Sequence, residues 1–476
     1  MKTKLLPFAA CVLLAGCRVG PDYQPPAVKV PEQWGEPLSG CVTGQVKRVS
    51  AWWKSFNDAE LDALIERAAA TNLNLRIAEA RVRQSRAQRG LAQADLWPSI
   101  DGSGSYSRQR QSENQPILGD ISIPSSVPFE NNVYQSGFDA AWELDLFGGK
   151  HRAIEAADAD LVAVEYERHE VLVTLLSEVA RHYVVIRGAQ RQLAVLQSQI
   201  AAQTETLTIT ENRVKIGAAT ELDAQRAAAL LATIQSQVPP LETTVQAAIH
   251  RLGVLLDLHP DALRDELSVV RPLPPVPPEV PVGLPSDLIL HRPDVRKAER
   301  RLAADTARIG QVKSELFPKF FLTGAVGQSS AGAGDFFSSS SRTWSIGPTV
   351  QWRIFDFGRV RSQIRAQIAV QDQTMLSYEQ VILNSLEEVE NALVAYAKEQ
   401  EHRRLLAQAV SAHQKAVELA NEQYNEGLGN YLDLLDTQRA LYVAQGALAQ
   451  SERTVAVNLI MLYKALGGGW DNSVAQ

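Results

Sequence analysis

Thr343-Trp-Ser-Ile-Gly-Pro-Thr-Val-Gln-Trp-Arg-Ile354 alternates strictly between two kinds of residue. Trp344, Ile346, Pro348, Val350, Trp352 and Ile354 share one face of an extended chain, and Ser345, Gly347, Thr349, Gln351 and Arg353 share the other. Period two is the signature of a strand. A strand of about ten residues, apolar on one face with aromatics towards its ends, is what a membrane barrel needs. The same pattern fits a soluble sandwich whose apolar face covers a core. The N-terminus favours the barrel.

Lys2 and Lys4 precede an apolar stretch, Leu5 to Leu14, which runs into Leu14-Ala-Gly-Cys17. This is the charge, apolar run and small-residue order of a secretory signal, too short to cross a bilayer as a helix. The cysteine after Leu-Ala-Gly resembles a bacterial lipobox, which implies that Cys17 carries covalent lipid. Acyl chains stabilise membrane attachment by about 0.8 kcal/mol per buried methylene. Arg18, rather than an aspartate, at the second mature position favours outer-membrane sorting by the same resemblance. Loss of Lys2 and Lys4 with the signal moves the formal charge from −7 to −9, which argues against a nucleic-acid partner. Cys11 leaves with the signal and Cys17 is acylated, so Cys41 stands alone and no internal disulfide is expected. No other apolar run is long enough for a helical span, so a membrane-spanning part must be made of strands.

The strand belongs to a duplication. Asn74-Leu-Arg-Ile-Ala-Glu-Ala-Arg81 aligns with Asp294-Val-Arg-Lys-Ala-Glu-Arg-Arg301, and Leu96-Trp-Pro98 with Leu316-Phe-Pro318, both at an offset of 220. Leu146-Phe-Gly148 meets Asp356-Phe-Gly358, and Gly217 meets Gly427, at an offset of 210. The first copy therefore carries ten more residues between Pro98 and Gly148. Each copy opens with an Ala-rich helix, about 58–95 and 294–315, stopped by a Trp-Pro or Phe-Pro step. A strand pair follows: Ile100–Tyr106 with a second strand bearing Tyr134, Phe138, Trp142, Leu144 and Leu146, then Phe320–Val326 with the strand quoted above. The segments 108–132 and 328–341 read as polar connecting loops. Four strands cannot enclose a lumen, and lipid does not tolerate open edges, so the chain must oligomerise. Two, three or four copies satisfy the pattern.

Behind each pair lies a proline-free run, Lys150–Ile216 and Arg359–Glu426, of 67 and 68 residues, or roughly 100 Å of helix. Leu172, Leu175, Val179, His182, Ile186, Ala189, Leu193, Leu196 and Ile200 step by three and four along the first, as in a coiled-coil seam. His182 reads as a packed seam residue. Gly217 and Gly427 are placed to end these helices in left-handed backbone. Thr220-Glu-Leu-Asp223 and Asn430-Tyr-Leu-Asp433 then read as caps of return helices.

Cys17 followed by Gly20-Pro-Asp-Tyr-Gln-Pro25, then Trp52-Trp-Lys-Ser-Phe56, Gly283-Leu-Pro-Ser286, His291-Arg-Pro-Asp-Val295 and the two glycine tips resemble the TolC/NodT outer-membrane factors, in their acylated, drug-efflux-associated branch. The resemblance spans nearly the whole mature chain. It implies a mainly α fold with a membrane β-barrel: a homotrimer whose twelve-stranded barrel continues into a periplasmic α-helical barrel. The implied organisation is a signal peptide at 1–16 and an acylated N-terminal segment with equatorial contacts at 17–57. A first repeat at 58–260 holds strands at about 98–147 and a long hairpin at about 150–257. A Pro-rich equatorial linker occupies 261–286. The second repeat at 287–466 holds strands at about 318–357 and a hairpin at about 359–466, and 467–476 is a tail. The implied function is a passive exit duct of a tripartite efflux system in a Gram-negative outer membrane. Its implied partners are outer-membrane lipid, a periplasmic adaptor docking at the Gly217 and Gly427 tips, and a proton-driven inner-membrane pump.

The resemblance also places a periplasmic gate. Asp433 and Asp436 would line the constriction, and Asp223 and Tyr424 would join the polar links that hold it shut. Around a threefold axis each aspartate becomes a ring of carboxylates that attracts cations and can bind a divalent ion. The plainer readings are helix capping by Asp223 and Asp433, and an Asp436–Arg439 pair on a solvated face. One position departs from the family pattern: Gly429 stands where some relatives carry an arginine. No His-Glu-x-x-His, Walker or Gly-x-Ser-x-Gly pattern occurs, Ala331-Gly-Ala-Gly334 lacks a phosphate-loop context, and neither an enzyme nor a cofactor beyond the lipid is expected. The outer-membrane part of an ABC-type secretion or metal-efflux system is the alternative. A lipoprotein coiled-coil spacer would leave the strands unexplained.

Overall fold

A computed structural model describes residues 18–27, 30–35, 42–43, 51–110, 130–277, 280–286, 291–426 and 428–470. The signal segment, Cys17, Cys41 and Gly427 lie outside the described residues. In chain order the elements are β1 (Val42–Thr43), a 3-10 turn (Trp52–Phe56), α1 (Ala59–Thr71), α2 (Leu73–Ala94), β2 (Ser99–Arg110), β3 (Glu130–Leu144) and α3 (Gly149–Lys215). Then follow α4 (Glu221–Gln235), α5 (Val238–Leu255), α6 (Arg264–Ser268), β4 (Val280–Pro281) and α7 (Pro293–Ser314). The chain closes with β5 (Lys319–Ser330), β6 (Arg342–Gln351), α8 (Arg359–Asn425) and α9 (Tyr431–Ala465).

One compact unit comprises the described residues of 18–26, 83–162 and 299–376. Its centre is a four-stranded antiparallel sheet in the order β2-β3-β5-β6. Ser99 pairs with Ala141 in the first hairpin and Lys319 with Gln351 in the second. Those partners differ by the same offsets of 220 and 210, so the duplication is kept residue by residue through both hairpins. β2 and β3 extend further into the expected loop, to Arg110 and from Glu130. β5 likewise continues to Ser330, and two short 3-10 turns occupy Ala333–Asp335 and Ser339–Ser341. β6 is shorter than its alternation suggested. It stops at Gln351, leaving Trp352 and Ile354 beyond the ladder, as Leu146 lies beyond β3. Pairing ends where the partner strand does: Gln351 opposes Lys319, the first residue of β5, and Pro318 before it has no N–H to donate; Asp356 then accepts from the Gly358 and Val360 amides and starts α8. Pro348 is tolerated because β6 is an edge strand.

The second unit comprises the described residues of 27–82, 163–298 and 377–470. Its core gathers Trp52, Trp53 and Phe56 with Leu61, Leu64, Leu176, Tyr183, Leu252, Leu459 and Tyr463. Trp52 stacks on Tyr463 with ring centroids 5.2 Å apart and meets Trp53 edge-on. The two-residue strands β1 and β4 pair in parallel in this unit. The opening helix expected at 58–95 is broken at Asn72, which leaves helical backbone and caps α2 through its side chain while donating to the Leu255 carbonyl. The first return helix is also broken. Pro239 and Pro240 fill the first turn of α5, where missing N–H groups cost nothing, and end α4 instead. The second return helix, α9, has no such step and runs unbroken for 35 residues.

The seam on α3 is wider than a two-helix contact. Leu172, Leu175, Val179, Ile186, Ala189 and Leu196 are buried, but so are Ser177, Arg187 and Gln190 on other faces. Arg187 is fully buried and pairs with Glu60, while its other nitrogen donates to Gln190 Oε1 and the Val269 carbonyl at 2.7 Å. Tyr183 donates to Asp58 and Glu60 at 2.7 and 2.9 Å. His182 packs in the seam beside Glu178, and burial, with Arg181 adding, holds its imidazole pKa below the usual value. Removing one partner of a buried ion pair strands the other charge, whereas replacing both with apolar groups does not. Arg187→Ala is therefore expected to lose about 3–5 kcal/mol, and Arg187→Met with Glu60→Leu to stay near neutral. Urea unfolding of the detergent-solubilised protein, followed by the Trp52/Trp53 fluorescence, reads both.

Candidate functional site

Directly paired residues of an antiparallel ladder lie on the same face, so the register sorts the sheet into two surfaces. One carries Ile100, Tyr106, Phe138, Leu322, Val326, Trp344, Ile346 and Val350. The other carries Ser103, Ser105, Gln135, Asp139, Thr323, Ser345 and Thr349. The apolar surface covers no core: Trp344 is 78% exposed and Ile346 72%. A soluble sandwich would bury it, so that reading falls.

Aromatic residues bracket the surface. Tyr134 and its repeat equivalent Trp344 mark one end, and Trp142 and Trp352 the other. Trp142 lies eight positions after Tyr134, and Trp352 eight after Trp344, roughly 27 Å along a strand, close to the ~25 Å apolar band of an outer-membrane barrel once strand tilt is counted. At the lower end Trp142 Nε1 donates to the Leu96 carbonyl and Trp352 Nε1 to the Leu316 carbonyl. Each tether joins a strand to the residue before the Trp-Pro or Phe-Pro stop.

Residues 18–23 are fastened beside the same junction. Val19 donates to the Phe147 carbonyl and accepts from Arg152 Nε, both at 3.2 Å. Arg152, 2% exposed, also grips Asp22 and Glu155 at 2.7 Å. A side chain on Gly310 of α7 would put its Cβ 2.7 Å from the Val19 carbonyl, so that helix must present glycine there. Sequence reasoning missed this clamp. Its one visible signal is a glycine in the middle of an otherwise helical pattern.

At the far ends of the long helices the two tips differ. Gly217 has φ +74°, and the Ala218 amide reaches back to the Arg213 carbonyl, which closes α3. Leu428 reaches back to Gln423 in the same way. Asp223 completes a capping box, accepting from the Thr220 amide and hydroxyl at 3.1 and 2.7 Å. It thus takes the plainer of its two expected roles within one chain. The second cap is half a box: Asn430 accepts from the Leu432 and Asp433 amides, and the Asp433 carboxylate makes no return bond. Asp433 and Asp436 are both exposed, one turn apart, and among the described residues neither carboxylate has a bonding partner; the Asp436–Arg439 pair does not form. A Cβ on Gly429 would sit 3.2 Å from the Gln423 Cβ and 3.3 Å from the Tyr424 amide, tight against the helix end.

Tyr424 is held by its neighbours in the same chain. The Arg213 guanidinium lies 4.3 Å from its ring centroid, and Tyr431 packs at 5.6 Å. Tyr431 is buried against Ala227 and Leu435. Among the described residues no cluster of three or more His, Cys, Asp or Glu could hold a metal. Burial pushes the Tyr431 hydroxyl pKa up; the Thr210 hydroxyl opposes this, and Tyr424 and Asp223 add to it. A phenol whose folded pKa exceeds its unfolded value contributes stability that is full below about pH 10 and lost as pH rises through the folded value. Protease cleavage near Lys215 should therefore rise only above about pH 10 in the native chain, and this rise should be absent in Tyr431→Phe.

A family model described as outer membrane efflux protein matches residues 64–256 and 284–468. Nodulation protein T of Rhizobium leguminosarum bv. trifolii is 31% identical over 465 residues, covering 98% of this chain and 97% of that protein. The solvent efflux pump outer membrane protein SrpC of Pseudomonas putida is 32% identical over 480 residues, covering 99% and 100%. Among solved structures, the outer-membrane channel OprN superposes with a TM-score of 0.88 at 36% identity, covering 95% of this chain and all of that one.

Proposed function

The chain belongs to the outer membrane efflux protein family, and on that premise we propose that three copies form one duct, gated at its helical tips and opened by a periplasmic adaptor. The protein is an outer-membrane exit channel for efflux. The observation that carries the reading is the sheet: amphipathic, uncovered on its apolar side and unpaired at both edges. Lipid covers the apolar side, since hydrocarbon next to Trp344, Ile346 and Val326 removes apolar area from water. Other copies must pair the edges, because lipid offers no hydrogen bonds to a bare ladder. Two copies would give eight strands, whose interior side chains fill. Three give twelve, and small inner residues such as Ser103, Ser105, Gly137, Ala325, Gly347 and Thr349 leave the lumen open.

Within such a trimer the exposed, unpartnered carboxylates of Asp433 and Asp436 form two acidic rings one helical turn apart. Carboxylate rings raise local cation concentration and set a barrier that a divalent ion deepens. Asp223 and Tyr424 brace the tip, the first through its capping box and the second through Arg213 and Tyr431. Cys17 precedes a segment clamped by Arg152 at the end of the sheet, which suits a lipid-bearing residue at the membrane surface. The inner-membrane partner is a proton-driven pump, and the cargo is small molecules; the solvent export named for SrpC is one such case.

Asp433→Ala with Asp436→Ala should raise basal conductance several-fold in planar bilayers or relieve block by millimolar divalent cations. Unchanged currents would reject the gate assignment. Cys17→Ser should abolish incorporation of labelled palmitate, and retained label would reject lipidation there.

A further inference from the structure

Given the outer-membrane duct proposed above, on which this rests, we infer that the apolar wall of the sheet holds a phosphorylated glycolipid of the outer leaflet, its acyl chains in a groove between Phe138 and Trp344 and a phosphate on Arg342.

Two neighbouring rows of the ladder make the groove. Phe138, Val326 and Trp344 form one row, and Ser136, Gln328 and Arg342 the next. Positions two apart on a strand share a face, so both rows project from the apolar side. The backbone of Gly137 and Gly327 shows between them as a floor. The open volume is about 660 Å³, within the roughly 300–1,000 Å³ range of ligand pockets. The Phe138 ring leans towards β2, since a Cβ on Gly102 would stand 3.3 Å from its Cε1. That turns the ring away from β5 and leaves Val326 60% exposed between Phe138 and Trp344. Ser136 is too small to fill the space.

The groove has a cation at its rim. Arg342 stands about 7 Å along the strand from Trp344. β3 and β6 lead into the long helices at the Trp142 and Trp352 end, so Arg342 lies at the opposite end, where the outer leaflet is. It is exposed, and among the described residues no carboxylate pairs with it. Its neighbour across the ladder, Gln328, is neutral. Arg108 of the same face differs, being paired with Glu130 at 2.6 Å. A lone charge on the lipid side is destabilising towards the midplane and tolerated near the interface. There a phosphate can accept two of its N–H groups at once.

The β5–β6 loop leans over the same wall. Phe336 meets Tyr134 edge-on with centroids 6.4 Å apart, and Tyr134 opposes Tyr106 on the apolar face. Phe337 beside it is 82% exposed. The loop is fastened, because the Asp335 carbonyl accepts from the Ser338 amide at 3.0 Å and the Ser341 hydroxyl at 2.7 Å. An aromatic ring held at that level suits the headgroup region. Ser339 and Ser340 are exposed directly before Arg342. Their hydroxyls match a sugar headgroup, which assigns the site to a glycolipid rather than a glycerophospholipid.

The test takes the full-length oligomer, delipidated in detergent, and titrates it with bis-phosphorylated lipid A, followed by native mass spectrometry. Lipid A should bind at least ten-fold more tightly than its dephosphorylated form or phosphatidylglycerol. Arg342→Gln should lower lipid A affinity at least ten-fold, and Arg342→Lys should recover part of the loss. Ser136→Trp fills the groove and keeps the charge, and should lower affinity to a similar extent. Conductance in planar bilayers should stay unchanged in all three variants. Full lipid A affinity in Arg342→Gln overturns the phosphate contact, and full affinity in Ser136→Trp overturns the groove. Equal affinity for phosphatidylglycerol overturns the glycolipid assignment. No conductance from the unsubstituted protein, with lipid A still bound through Arg342, overturns the duct and leaves this site standing.

Discussion

Hydrocarbon offers no hydrogen bonds, and the rest of this molecule follows from that. A backbone N–H or C=O facing lipid without a partner costs several kcal/mol, so a sheet in the bilayer cannot keep an edge. Here the sheet has two, β2 and β6, and its apolar face has nothing of its own chain to cover it. Membrane insertion and self-association are therefore one requirement. The apolar surface that makes the sheet insoluble alone makes it stable in lipid, and the bare edges make a solitary copy unstable there.

Below the sheet, proline and tryptophan set the junction. Pro98 and Pro318 stop the short helices, and the indole of a strand tryptophan then takes up the carbonyl two residues before each proline. The same device occurs in both copies, although the flanking loops differ in length. Charge secures the rest. Arg152 draws the N-terminal segment against a glycine of α7, and Arg187 ties the start of α1 to the long helix and the segment after α6. Both arginines are buried and use several donors at once, which is why a planar guanidinium serves where an ammonium would leave carbonyls unsatisfied.

The two halves have diverged at the tips as well. Around Gly217 the carboxylate of Asp223 is spent on a cap, whereas Asp433, its repeat equivalent, has a cap supplied by Asn430 and keeps its own charge free. Duplication gave two similar corners, and one substitution, Thr220 against Asn430, separates a structural aspartate from an available one. An asparagine side chain reaches both first-turn amides by itself, so the third-position acid is released from that duty.

The strand alternation, the duplication, the unbroken long helices and the need for partners are all legible in the sequence, because each is a one-dimensional pattern imposed by period or by spacing. Helix breaks at Asn72 and Pro239 and the tip geometry were less legible. They turn on a single side chain choosing between neighbouring backbone groups, a choice that small differences in local geometry decide. Family resemblance placed Asp223 beside a gate, while the folded corner shows it closing a capping box. By itself the sequence determined that this chain makes two amphipathic hairpins on long helices, since hydrophobic period survives any arrangement in space. Only the tertiary structure decided which rungs oppose one another, which arginines are buried and which aspartates stay free, because the first two bring together residues far apart in the chain and the last turns on the exact geometry of a cap.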